Sequence, residues 1–197
     1  MSRKPLSLKL AIAISAFAAS IANAETPSAE MLSNTCVGCH GASGVSNGPA
    51  IPTIAGVSES YFMDAMNEYA KDERVSTIMG RIARGYSEDE LKAMAGYFAK
   101  QKAVGAKQEF DAAKVKEGQK LHDKYCEKCH AEGGTSAEDD AGILAGQWKP
   151  YLEYSMQDFH AGTRSMPKKM KKKVKKMIEK KGEGAEATLN EYYASQQ

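Results

Sequence analysis

All four cysteines of the chain sit in two copies of one pentapeptide, Cys36-Val37-Gly38-Cys39-His40 and Cys126-Glu127-Lys128-Cys129-His130. Two thiols one helical turn apart can each form a thioether to the same edge of a porphyrin. A His directly after the second thiol then lies beneath the ring and supplies the proximal nitrogen to iron. Each pentapeptide therefore reads as an attachment site for a covalent haem c. Two other chemistries use paired cysteines. A four-cysteine zinc site leaves both following histidines without a role. Redox disulfides of the thioredoxin kind need βαβ patterning, which is absent here.

An iron held by one His needs a partner on its other face, and a thioether there stabilises the ferrous state, as suits a carrier. In the first half Met79 is the best placed: it lies five residues beyond Arg74 and opens the run Met79-Gly80-Arg81-Ile82-Ala83. Met63, Met66 and Met94 read as apolar packing instead. In the second half two methionines flank the equivalent position, which is Lys169. Met170 needs a one-residue insertion relative to the first half, and Met166 a three-residue deletion. Met170 is favoured; Met166, followed by Pro167, is the alternative, and His160 would give a bis-histidine centre.

The elements that must position these residues are duplicated. Cys36 and Cys126 lie 90 residues apart, and the same offset relates His40 to His130, Ala55-Gly56 to Ala145-Gly146, Tyr61 to Tyr151, Met66 to Met156 and Arg74 to Arg164. An ungapped run of matches at one offset marks an internal repeat. Helical spacing leads into each cysteine pair over 28–34 and 114–125, the latter through Val115, Gly118, Leu121, His122 and Tyr125. Ser87 to Glu90 opens another helix as a capping box, with Leu91, Met94, Ala95 and Phe98 on one face. The last helix, ending in Leu189, Tyr192 and Tyr193, is less cleanly patterned. No alternating strand signal occurs. The expected fold is all-α, as two tandem domains of about 80–90 residues wrapped around one haem each, whose apolar surface augments a small core. Their bounds are 25–104 and 110–197, with a simple connector over 105–109.

Residues 1–24 read as a cleavable secretory signal: Arg3, Lys4 and Lys9, an apolar stretch, then Ala22-Asn23-Ala24. Cleavage implies a periplasmic product without a membrane span. The chain has 27 basic and 25 acidic residues, and removing the three cations of the signal leaves 24 against 25. That balance argues against nucleic-acid binding. One local excess stands out, nine lysines between Lys168 and Lys181. They read as a solvated helix face with Val174, Met177 and Ile178 turned inward, or as a docking patch for an acidic redox partner.

The two-half plan resembles the diheme class I cytochromes c of bacterial respiration. It is more closely similar to the cytochrome subunit of flavocytochrome c sulfide dehydrogenase. The residues that carry this resemblance are Ser76 to Ala83, Leu121 to His130, Ile143 to Trp148 and Tyr193 to Gln197. The resemblance implies thioethers at Cys36, Cys39, Cys126 and Cys129, proximal ligands His40 and His130, and distal ligands Met79 and one of Met170 or Met166. It implies a heterodimer with a flavoprotein subunit whose FAD and redox disulfide oxidise sulfide, and a small soluble cytochrome or similar acceptor. The chain would then be no enzyme on its own, since every cysteine is committed to haem. A freestanding diheme carrier feeding a terminal oxidase is the second reading, and a diheme peroxidase a third, against which two methionine ligands argue. Pro52-Thr53-Ile54-Ala55-Gly56 matches the family's Pro-x-x-x-Gly loop, in which the Pro carbonyl accepts from the proximal His. In the second half that position is Gly142, a less rigid support, so the two haems are expected to differ in potential.

Overall fold

The computed structural model describes residues 27–136 and 141–197; the export signal expected over 1–24 lies outside them. Helices α1 (Ala29–Asn34), α2 (Val37–His40), α3 (Glu59–Ala70), α4 (Met79–Ala83) and α5 (Glu88–Ala99) make up the first half. The second half holds α6 (Ala112–Tyr125), α7 (Ala131–Gly134), α8 (Lys149–Ala161), α9 (Lys168–Lys181) and α10 (Ala185–Ala194). Among the described residues there is no strand, only an isolated antiparallel bridge between Arg74 and Arg164. The fold is all-α, as its periodicity predicts. No helix among the described residues is long and apolar enough to cross a membrane.

Side-chain oxygens start several helices by satisfying amide groups that no helical carbonyl can reach. Ser28 accepts from the Met31 amide and Ser58 from the Tyr61 amide. Ser87 and Glu90 form the expected reciprocal capping box at α5. Helix α8 starts with Pro150 in its first turn and stops at Gly162 in the left-handed region, φ 75°.

Each half has its own apolar core. In the first, Leu32 of α1 and Phe62 and Met66 of α3 pack with Leu91, Met94 and Phe98 of α5. In the second, Leu121 and Tyr125 of α6 pack with Leu189, Tyr192 and Tyr193 of α10 and with Met177 of α9. Helices α6 and α10 cross so closely that a Cβ on Gly118 would lie 2.5 Å from the Thr188 carbonyl oxygen. The terminal helix lacks a clean apolar stripe because Ala185, Leu189, Asn190, Tyr192, Tyr193 and Ala194 are all buried, on more than one face.

The 90-residue repeat recurs in the backbone hydrogen bonds. Ile54 and Ala55 both donate to the Gly44 carbonyl, and Leu144 and Ala145 both donate to that of Gly134. Glu73 and Arg74 donate to Glu68, and Thr163 and Arg164 to Asp158. The segment joining the halves is more than a connector: Ala106 donates to the Gly146 carbonyl at 2.8 Å, and the Gln108 carboxamide bonds both the Gln147 carbonyl and the Lys149 amide. The stretch reads as a simple connector in sequence, yet the Gln108 side chain finds its partners about 40 residues on.

Candidate haem sites

In the first half Cys36 precedes α2, and the helical turn brings Cys39 and His40 onto the same short segment, with the His40 amide donating to the Cys36 carbonyl at 2.9 Å. His40 Nδ1 lies 2.9 Å from the Pro52 carbonyl oxygen. A carbonyl only accepts, so Nδ1 carries the proton and Nε2 keeps its lone pair for a metal. Burial pushes the His40 pKa down, which favours the neutral imidazole that a metal requires. Burial also pushes the Cys36 thiol up, opposed by its contact with Thr35. None of the four cysteines is in a disulfide.

These residues open onto a largely apolar cavity, the lining usual for cofactor sites. Cys36, His40, Pro52, Phe62, Met66 and Met79 all contribute to its wall. Met79 is the first residue of α4, whose start is pinned by the Gly80 amide donating to Ser76 Oγ at 2.9 Å. A thiol at the edge, an imidazole with a free Nε2, a thioether and apolar walls are the donor set that a haem c needs. The residues fit the group.

The second half repeats the proximal arrangement. Cys126 ends α6, the His130 amide donates to its carbonyl at 3.0 Å, and His130 Nδ1 lies 3.0 Å from the Gly142 carbonyl oxygen. Burial pushes the Cys126 thiol up to about 11, and burial again lowers His130. A Cβ at residue 142 would meet the Tyr61 ring at 2.9–3.1 Å. A side chain at 142 would thus have to displace the tip of Tyr61 from the first half. Met166 and Met170, both half-buried, stand on either side of Pro167, the N-cap of α9. His160 Nε2 bonds Glu186 at 2.9 Å on an exposed surface, so the nitrogen that an iron would take is already engaged.

The contacts of three groups were not legible in the sequence. His122, fully buried, bonds Tyr193 through Nδ1 at 3.0 Å and Glu127 through Nε2 at 2.5 Å. The Glu127 carboxylate also accepts from the Glu132 and Gly133 amides. Arg74 and Arg164 meet between the halves, Arg74 over the Tyr69 ring and Arg164 over that of Phe159, with Arg164 donating to the Tyr61 hydroxyl at 3.3 Å. Burial alone would raise Tyr61, but Arg74 and Arg164 outweigh it and hold the hydroxyl below the usual tyrosine range. Finally, the Gln147 carboxamide bonds the backbone of Thr53 twice. The Arg pair was visible as a repeat match; for the Gln147 contact no local signal exists, since its partners are 94 residues apart.

Comparison with known proteins agrees with this chemistry. The family model described as Cytochrome c matches residues 27–102. Cytochrome c4 of Pseudomonas aeruginosa is 30% identical over 177 residues, 84% of this chain and 85% of that protein. The thiosulfate dehydrogenase electron acceptor of Thiomonas intermedia is 29% identical over 141 residues, 66% of this chain and 65% of its own length. The cytochrome subunit of sulfide dehydrogenase of Chlorobaculum tepidum is 44% identical over 69 residues, 35% of this chain and 62% of that subunit. The chain thus spans just under two thirds of these last two relatives. Reduced cytochrome c4 from Pseudomonas stutzeri shares the fold, with a TM-score of 0.73 at 23% identity over 87% of this chain and all of that one. The chain belongs to the class I cytochrome c family, electron-transfer proteins that hold haem c covalently and are not enzymes in themselves.

Proposed function

We propose that the chain is a periplasmic diheme relay, which receives electrons from an FAD-containing, sulfide-oxidising flavoprotein subunit and passes them to a small soluble acceptor. The observation that supports two haems is the pair of imidazoles held alike: His40 by the Pro52 carbonyl, and His130 by that of Gly142. When bound, haem c supplies reversible one-electron exchange at its iron. In the first site Cys36 and Cys39 would tether the group, and His40 Nε2 and the Met79 sulfur would hold its iron. Arg74, buried on the cavity wall, is the cation available to a haem carboxylate. In the second site Cys126, Cys129 and His130 take the same roles, with Met170 as the distal ligand and Met166 as the alternative. In both, the Nδ1 hydrogen bond fixes the imidazole plane and raises its basicity.

The flavoprotein partner is supported by the sulfide dehydrogenase relative. With all four cysteines committed to haem, the sulfide chemistry falls to that partner, and the two subunits form a heterodimer. The acceptor would dock on α9, whose lysines are exposed while Met177 is buried and Val174 and Ile178 are half-buried. Lys173 on that helix donates to the Lys124 carbonyl at 3.4 Å, two residues before Cys126, which supports a basic face near the second pentapeptide. Acceptor reduction that slows as salt rises, and slows again when Lys172 and Lys175 become Glu, supports docking. Rates indifferent to both would remove it.

Purification of the native protein from periplasm, followed by a flavin absorption spectrum of the copurifying material, tests the partner. A stoichiometric flavoprotein is expected. Recovery of the cytochrome alone would favour the second reading, a freestanding carrier feeding a terminal oxidase. The cytochrome c4 relative, matched over 85% of its length, is the observation on that side.

A further inference from the structure

We propose that Gln147, a residue of the second half, is a positioning residue for His40 of the first, and so helps to set the potential of the haem attached at Cys36 and Cys39. The argument rests on one peptide unit. The carbonyl that accepts from His40 Nδ1 belongs to Pro52, and the N–H in the same planar peptide group belongs to Thr53. Gln147 Oε1 accepts from that N–H at 3.0 Å. The hydrogen bonds therefore run in series: imidazole N–H to the Pro52 carbonyl, across the peptide, then Thr53 N–H to the Gln147 carboxamide. Groups linked in this way polarise one another, so an acceptor on the N–H makes the carbonyl a stronger acceptor for the imidazole.

The geometry is fixed on all sides. Gln147 Nε2 donates to the Thr53 carbonyl at 2.8 Å, which holds the carboxamide in one orientation and distinguishes its oxygen from its nitrogen. Gln147 and Thr53 are both buried, at 4% and 6% exposure, so water does not compete for these bonds. Beside them Thr53 Oγ1 accepts from the Ser46 amide at 3.1 Å, and Trp148 Nε1 donates to the Ser46 carbonyl at 3.3 Å. Consecutive residues of the second half thus grip two segments of the first half's proximal loop. The relay has no mirror image: the residue equivalent to Gln147 at the 90-residue offset is Val57, which has no hydrogen-bonding side chain.

A stronger Nδ1 hydrogen bond makes the imidazole more basic and favours ferric iron. Gln147→Leu should therefore raise the potential of the first haem, so that its oxidised-to-reduced ratio at a fixed ambient potential falls several-fold. The second haem should not move. In the same holoprotein, proton NMR should show a shifted His40 Nδ1–H resonance that exchanges faster with solvent. Gln147→Met, which keeps much of the shape but offers the Thr53 amide no oxygen, should move the first haem the same way. Equal shifts at both haems, or an unmoved His40 Nδ1–H in either variant that folds, would overturn the proposal. The inference rests on haem ligation by His40. If that reading fails, the wild-type protein lacks haem at Cys36 and Cys39, whereas failure of the inference alone leaves both haems in place with the first potential unchanged.

Discussion

His40 and His130, the proposed proximal ligands, are held by the same backbone bond, yet what stands behind the bond differs in each half. Behind His40 are Pro52, a ring-stiffened residue, and the Gln147 carboxamide from the other half. Behind His130 is Gly142, with the Tyr61 ring where a side chain would stand. Duplication has kept the main-chain hydrogen bonds at a constant offset and let the supporting side chains diverge. Two of these supports cross the interface: Gln147 of the second half braces the first by hydrogen bonds, and Tyr61 of the first braces the second by packing. Neither half therefore sets the surroundings of its histidine by itself, and under the proposed diheme relay the differences between the two sites are the place to look for a direction of electron flow.

The largest expected effect tests whether the halves load separately. Cys36→Ser with Cys39→Ser should yield a protein with one covalent haem in place of two, and Cys126→Ser with Cys129→Ser likewise, read by intact mass and by a haemochrome spectrum. Either double variant retaining two covalent haems would break the comparison at its root. Next in size is loss of a distal sulfur. Met79→Ala should abolish the sulfur-to-iron charge-transfer band of one haem and open that site to carbon monoxide in the reduced state. In the second half Met170→Ala should do the same while Met166→Ala leaves the band intact; the reverse outcome would transfer the role to Met166.

Smaller effects come from packing, where one substitution should have opposite signs in the two halves. At Gly118 a Cβ would approach the Thr188 carbonyl oxygen to 2.5 Å and Tyr192 Cβ to 2.7 Å, so α6 and α10 must separate. Overpacking of this kind costs ~1–3 kcal/mol, against a gain of at most ~1 kcal/mol in helix propensity. Gly118→Ala should therefore destabilise by about 1–2 kcal/mol in denaturant unfolding. At Gly96 in α5 the nearest atom to such a Cβ is Glu59 Oε1 at 3.6 Å, an ordinary contact. Gly96→Ala should be neutral or stabilise by up to ~1 kcal/mol.

What was legible in the sequence was local. The thiol and imidazole positions, the Ser87–Glu90 capping box and the inward Met177 follow from spacings shorter than two helical turns. Gly142 was visible as a departure from its first-half counterpart, but Tyr61, which it faces, lies in the other half. Gln147 read only as part of a resemblance, because its partner is set by how the halves dock. Helix α10 read weakly because burial on several faces erases the periodicity that a half-exposed helix shows. The second distal methionine was ambiguous because the repeat loses its register after Arg164, just where α9 and its lysines begin.

The smallest expected effect concerns acid, and it again separates the halves. The second pentapeptide carries Glu127 where the first has Val37. The His122 hydrogen bond, with those of the Gly133 and Glu132 amides, holds the Glu127 carboxyl below the usual carboxylate range against the opposing effect of burial. A carboxylate whose pKa is lower folded than unfolded contributes stability that is complete above its unfolded value, ~4.3, and is lost as pH falls through the folded one. The side chain is about 40% exposed, so solvent screening keeps the contribution small. Unfolding followed at the second haem should therefore weaken below about pH 4.3. Glu127→Gln should flatten that dependence and leave the first haem's profile unchanged. An unaltered acid limb in the variant would mean that the carboxyls responsible lie elsewhere, and that the His122–Glu127–Tyr193 group matters to the second site by shape alone.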